Sequence, residues 1–179
     1  MSSIDFGLLL LRICLGMTMA AHGYGKLFRG GRIAGTAGWF DSIGVRPGRA
    51  HAWLAALTEV GAGLLLAIGL LTPFAAAAFV SLMIVAAWTV HRGHGFFVVA
   101  DGWEYNLALA VGALSVAVAV AGTGRLSVDW AIFGGNLLSG WAGFFIAGIL
   151  GIAAAGGLLG MSFRPDAPQD RPDLQQEAA

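Results

Sequence analysis

Apolar residues in this chain fall into long unbroken runs, bounded by short clusters of glycine, proline and charged residues. The runs cover 6–27, 52–71, 74–90, 105–121 and 141–161. A helix of roughly 20 apolar residues crosses a hydrocarbon core of about 30 Å, so each run has the length of a membrane span or close to it. The pattern predicts an all-α, polytopic membrane helix bundle with a transmembrane domain over 1–162. Only Thr72-Pro73 separates the second and third runs, so those spans should form a tight antiparallel hairpin. From Arg164 the chain carries three of its five prolines and four acidic residues against two arginines. We therefore expect 163–179 to be a disordered, polar, cytoplasmic tail.

Helical spacing inside the runs adds detail. Arg12, Gly16, Met19, Gly23 and Lys26 form one stripe on the first span, with His22 beside it. Ala52, Ala55, Ala56, Glu59, Ala62 and Gly63 form the smallest and most closely packable face of the second. Gly143, Ala147, Gly151 and Ala155 recur every four residues on the fifth, a small-residue face suited to helix association, here expected to serve a homo-oligomer. Between the first two spans, Ile33, Ala37, Phe40 and Gly44 share a helical face near Trp39. A short helix in the interface plane and an irregular loop fit that segment equally well.

Composition sharpens the class. Of 179 residues, 58% are hydrophobic and only 11% charged, with a mean hydropathy of +0.78. A soluble domain carries about a quarter charged residues, so a water-soluble globule is a poor fit. Zero formal net charge gives no basic face for nucleic acid. The N-terminal run lacks a basic leader and a convincing cleavage site, and it holds Arg12, so it reads as a retained span rather than a signal peptide.

Lys and Arg set the expected orientation. Lys26, Arg29, Arg32, Arg46, Arg49, Arg92, Arg164 and Arg171 belong to one side and Arg125 to the other. The N-terminus should lie outside and the C-terminus in the cytoplasm of a bacterial plasma membrane. Trp53, Trp88, Trp103 and Trp141 fall at span ends, as an aromatic belt requires.

Topology then gathers the polar residues. His22 and Lys26 end the first span, Glu59 lies two turns into the second, His91 ends the third, and Tyr105 and Asn106 open the fourth. All belong to the cytoplasmic side. Ionisable groups at membrane depth are costly and usually face a protein interior or a wet cavity. A partner in His22 or Lys26 would keep Glu59 ionised. We expect His22 and Glu59 to handle protons, and Lys26, His91, Tyr105 and Asn106 to contact a ligand. The competing reading is that Glu59, His22 and Asn106 only knit helices together by hydrogen bonds. At the opposite end, Arg12 either snorkels to the outer interface or joins Arg125 and Asp129 as a structural ion pair. His91 and His94 alone do not make a metal site, and Cys14 has no cysteine to pair with.

Several motifs resemble the DoxX family of small bacterial membrane proteins. They are Ala21-His22-Gly23-Tyr24-Gly25-Lys26-Leu27, Glu59-Val60-Gly61-Ala62-Gly63-Leu64-Leu65 with Gly69-Leu70-Leu71-Thr72, Glu104-Tyr105-Asn106-Leu107, and Gly124-Arg125-Leu126-Ser127-Val128-Asp129. The resemblance runs from about Phe6 to Asp129 and implies a four-helix membrane core. It also implies work alongside oxidoreductases, since related proteins are subunits of a thiosulfate:quinone oxidoreductase and others partner soluble redox and sulfur-transfer enzymes. The fifth span and the acidic tail depart from the family pattern.

The expected function is therefore an integral membrane subunit or anchor of an oxidoreductase complex, accessory rather than itself catalytic. It would carry no cofactor of its own, bind a quinone, and meet the bilayer and a redox partner. A small-molecule or ion transporter bundle and a structural membrane scaffold stand as alternatives.

Overall fold

The structure, a computed structural model, describes residues 2–118, 124–134 and 140–165. It is an all-α bundle. Helix α1 (Ser3–Phe28) starts earlier than the apolar run, because Ser2 and Asp5 cap each other: the Asp5 amide donates to Ser2 Oγ and the Ser2 amide donates to Asp5 Oδ2. A short helix, α2 (Arg32–Ser42), follows, resolving that segment as helix rather than loop. Helix α3 (Gly48–Ile68) runs back antiparallel to α1. Its first turn is capped by Asp41, whose carboxylate accepts from the Gly48 amide at 2.7 Å.

The α1–α3 contact rests on the two stripes the spacing picks out. Arg12, Gly16, Met19 and Gly23 are buried, as are Ala52, Ala56, Glu59, Ala62 and Gly63. The backbones come so close that a Cβ on Gly23 would lie 2.7 Å from the Ala56 carbonyl oxygen. Small residues permit this approach, and in a membrane it is van der Waals contact that drives helix pairing.

The expected hairpin is present. Gly69 takes the left-handed conformation after α3, Leu71 takes it before α4 (Thr72–Ala86), and Pro73 sits in the first turn of α4, where its missing N–H costs nothing. Past Ala86 the helix widens into a π-turn (Ala87–His91) and tightens into a 3₁₀ turn (Arg92–His94). A hairpin loop with a second 3₁₀ turn (Val98–Ala100) leads to α5 (Glu104–Val118). Beyond it come the short α6 (Val128–Phe133) and the long α7 (Trp141–Ser162). Leu15 and Met19 of α1, Leu66 of α3, Phe79 and Met83 of α4 and Ala113 and Val116 of α5 form one apolar core, joined by Ala147 of α7.

Large apolar side chains also cover the outside, Phe6, Leu10, Leu57, Leu64, Ile149 and Ile152 among them. Such a surface is stable against lipid and not against water. Four helical segments are long and apolar enough to cross a membrane: Ser3–Phe28, Gly48–Ile68, Thr72–His94 and Trp141–Ser162. Helix α5 is apolar but shorter over its described part.

Two expectations are corrected. Gly143, Ala147, Gly151 and Ala155 are all buried within the chain. A Cβ on Gly151 would lie 2.7 Å from Val80 Cβ and 2.9 Å from the Ala77 carbonyl oxygen, so the stripe seats α7 on α4 and is not free to pair with a second copy. The tail also starts later than position 163. Residues 163–165 are held, since Val45 bridges Phe163, the Arg46 amide donates to Ser162 O and the Arg164 amide to Gly44 O. The expectation for 166–179 lies outside the described residues.

Candidate functional site

Two ionisable residues of the membrane interior, one from α1 and one from α3, meet in an ion pair. Lys26 Nζ lies 2.8 Å from Glu59 Oε1 and 2.6 Å from Oε2, the one salt bridge among the described residues. Helical geometry brings the two ends together. Side chains lean toward the N-terminus of their own helix. On α1 that leans Lys26 inward from the helix end, and on the antiparallel α3 it leans Glu59 outward to meet it. Glu59 is 7% exposed, so its charge is shielded from water and answered by Lys26. Lys26, not His22, is its hydrogen-bonding partner.

This pair lies on the wall of a cavity of about 830 Å³ between α2, α3, α4 and α7. Most of its lining is aliphatic or aromatic: Phe40 from α2, Leu54 and Ala55 from α3, Phe74, Ala78, Leu82 and Val85 from α4, and Leu150, Ala154 and Leu158 from α7. Polar groups are few: Lys26, Glu59, His51, Thr58, Ser81, Thr89, His91 and Ser162. A large apolar space with a few polar groups is the usual form of a small-molecule site.

The histidines differ in readiness. His91 Nδ1 lies 2.6 Å from the Asp101 carbonyl oxygen, which can only accept, so Nδ1 carries the proton and Nε2 is left to accept in the neutral ring. His94 Nδ1 is likewise turned to a backbone carbonyl, that of Val90. His51 Nδ1 is buried and has no hydrogen-bond partner. His51 escaped sequence reasoning, although a signal existed: His51, Ala55, Thr58 and Glu59 follow the i, i+4, i+7, i+8 spacing of one helical face.

The expected polar cluster divides. Lys26, Glu59 and His91 share the cavity, while His22, Tyr105 and Asn106 are not among its lining. His22 and Tyr105 approach each other with ring centroids 6.4 Å apart, and both are exposed. Asn106 is buried against α4, where its Nδ2 donates to Met83 Sδ at 3.8 Å and its Oδ1 is unpartnered. Tyr105 and Asn106 belong to α5, which contributes no residue to the cavity wall, and His22 sits one turn before Lys26 on α1.

At the opposite end the expected ion pair is replaced by bonds to backbone. Arg12 is fully buried and does not snorkel; its Nη2 donates to the Leu126 carbonyl at 2.6 Å and its Nε to Leu8 O at 3.3 Å. Asp129 accepts from the amides of Leu71 (2.8 Å) and Thr72 (3.0 Å), capping α4. The Arg125 amide, rather than its guanidinium, donates to Asp5 Oδ1 at 3.0 Å, and that guanidinium lies over the Trp130 ring. Together these bonds clasp 124–129 to α1 and to the α3–α4 turn.

Residues 7–92 match the family model named DoxX. This segment is a DoxX domain. The DoxX segment spans α1 to α4, so it contains Lys26, Glu59, His51 and three walls of the cavity; α7, the fourth, lies beyond it. No curated protein and no solved structure matches this chain.

Proposed function

We propose that this DoxX-family membrane protein is a subunit or anchor of an oxidoreductase complex and holds a quinone in the α2–α3–α4–α7 cavity. One observation carries the reading: a cavity of about 830 Å³, overwhelmingly apolar, with the Lys26–Glu59 pair and His51 on its wall. Such a cavity suits an amphipathic molecule with a small polar head and a long apolar body. A quinone ring offers carbonyl oxygens that accept from Lys26 Nζ or from a protonated His51 nitrogen, and its isoprenoid chain suits the aliphatic walls of α4 and α7.

Reduction of a quinone to a quinol takes up two electrons and two protons. The electrons come from a partner, since the reading gives this chain no electron carrier. Glu59, His51 and His91 on the cavity wall can pass protons, the first within the membrane and the two histidines nearer its edge.

The test is purification of the native protein in mild detergent, followed by solvent extraction and mass spectrometry. A quinone recovered in near-stoichiometric amount supports the reading. A protein that is folded, ligand-free and active in moving a solute across liposomes alone would transfer the case to a transporter.

A further inference from the structure

The loop between α4 and α5 has an apolar tip that the bundle does not use. Phe96, Phe97, Val98 and Val99 stand in sequence there, and Phe97 is 65% and Val99 94% exposed. Leaving such a tip in water is unfavourable, at roughly 25 cal/mol for each Å² of apolar surface.

Its backbone is closed on itself. The Gly102 amide donates to Phe97 O, Trp103 to Gly95 O, Glu104 to Phe96 O, Ala100 to Phe97 O and Asp101 to Val98 O. The Val98 amide donates to Glu104 Oε2 at 3.1 Å. Gly102 allows the two arms to touch, since a Cβ there would lie 2.5 Å from the Gly95 carbonyl oxygen. A loop that satisfies most of its own polar groups meets a smaller penalty in a region poor in water than an open loop does.

The surroundings are those of a membrane boundary. The span that ends at His94 delivers the loop to the bilayer edge. Trp88 and Trp103 flank it, both partly exposed, and Phe96 meets Trp103 edge-on at 4.8 Å. Arg92 lies over the Trp88 ring at 4.4 Å, and by the antiparallel order of the helices Arg29, Arg32 and Arg49 lie at this same end. Aromatic rings and cations at this level suit the phosphates of a lipid leaflet.

We infer that the 95–103 loop is a membrane-interface wedge, with Phe97 and Val99 inserted at the headgroup–acyl boundary of the bilayer and Arg92 on its anionic phosphates. This does not depend on the redox reading. The occupant of the tip is lipid and not a protein partner.

Spin-label accessibility tests it directly. The single cysteine, Cys14, is exposed and is first removed as C14A. Nitroxide is then placed at V99C and, on the polar side of the same turn, at D101C, in liposomes of phosphatidylcholine and phosphatidylglycerol. At 99 the ratio of collisions with oxygen to collisions with a water-soluble nickel chelate should exceed that at 101 several-fold. A ratio at 99 as low as that of a free nitroxide in water would place the tip in water and overturn the inference. Nickel protection that appears only after a soluble partner is added would make the tip a protein-docking surface, which also overturns it. Val99 packs on nothing, so V99C does not put folding in question.

Discussion

Gly16 of α1 and Gly63 of α3 face each other across a close helix contact, each occupying the space a Cβ on the other would need. With Gly23 opposite Ala56, this sets the antiparallel register and places Lys26 roughly one to two turns nearer the membrane edge than Glu59. The ion pair spans that offset. Gly63→Ala should force the helices apart and lower stability by about 1–3 kcal/mol. Thermal unfolding in detergent, followed by size-exclusion fluorescence, would show it, whereas Gly61→Ala, which meets open space, should be nearly silent.

The two halves of the pair are not equivalent. The Lys26 side chain is 23% exposed and can turn toward water when its partner is lost, while the Glu59 side chain is 9% exposed and cannot. Lys26→Met should therefore destabilise more than Glu59→Gln, by about 2–4 kcal/mol, since an unanswered buried charge is the costly outcome. The double variant should recover most of the loss. Equal effects of the two single variants would show that Glu59 is hydrated in the folded protein.

Arg12 is held by geometry that only a guanidinium can satisfy. Its Nη2 and Nε reach carbonyls of two different segments, and its Nη1 lies against Gly69. Arg12→Lys keeps the charge and loses the fork, so we expect a loss of about 1–3 kcal/mol. Protease sensitivity between 124 and 134 should rise with it, because the clasp on that segment is released.

Asp129 tests the same clasp from the other side. Replacing it with alanine frees the Leu71 and Thr72 amides at the start of α4, at a cost of about 1–2 kcal/mol in thermal stability. If Asp129→Asn were as damaging as Asp129→Ala, charge rather than capping would be the operative property.

The cavity can be closed from its α7 wall. Gly157 lines it, and a side chain there meets only the end of Met161. Gly157→Phe should leave folding intact and reduce any co-purifying quinone at least ten-fold, by the loss of about 1.4 kcal/mol for each tenfold step in affinity. Undiminished quinone in this variant would move its site elsewhere in the bundle.

Most of the architecture was legible before any coordinates. Long apolar runs must become helices in lipid, because every backbone group there needs a partner within its own segment. The glycine stripe on α1, the alanine face of α3 and the Thr72-Pro73 turn likewise carry their structural meaning locally, in spacing and in residue size. The capping of α1 by Ser2 and Asp5 is equally local, a Ser-x-x-Asp signature that lies just ahead of the apolar run.

What sequence could not decide was who faces whom. Lys26, rather than His22, reaches Glu59 because the antiparallel register and the lean of both side chains carry them together. His51 joins the cavity and Tyr105 does not because α3, with α2, α4 and α7, builds its wall and α5 does not. The Gly143 stripe is equally suited to an intramolecular or an intermolecular partner, and only the fold assigns it to α4. Each of these depends on distances between segments far apart in the chain, which residue spacing along one helix cannot contain.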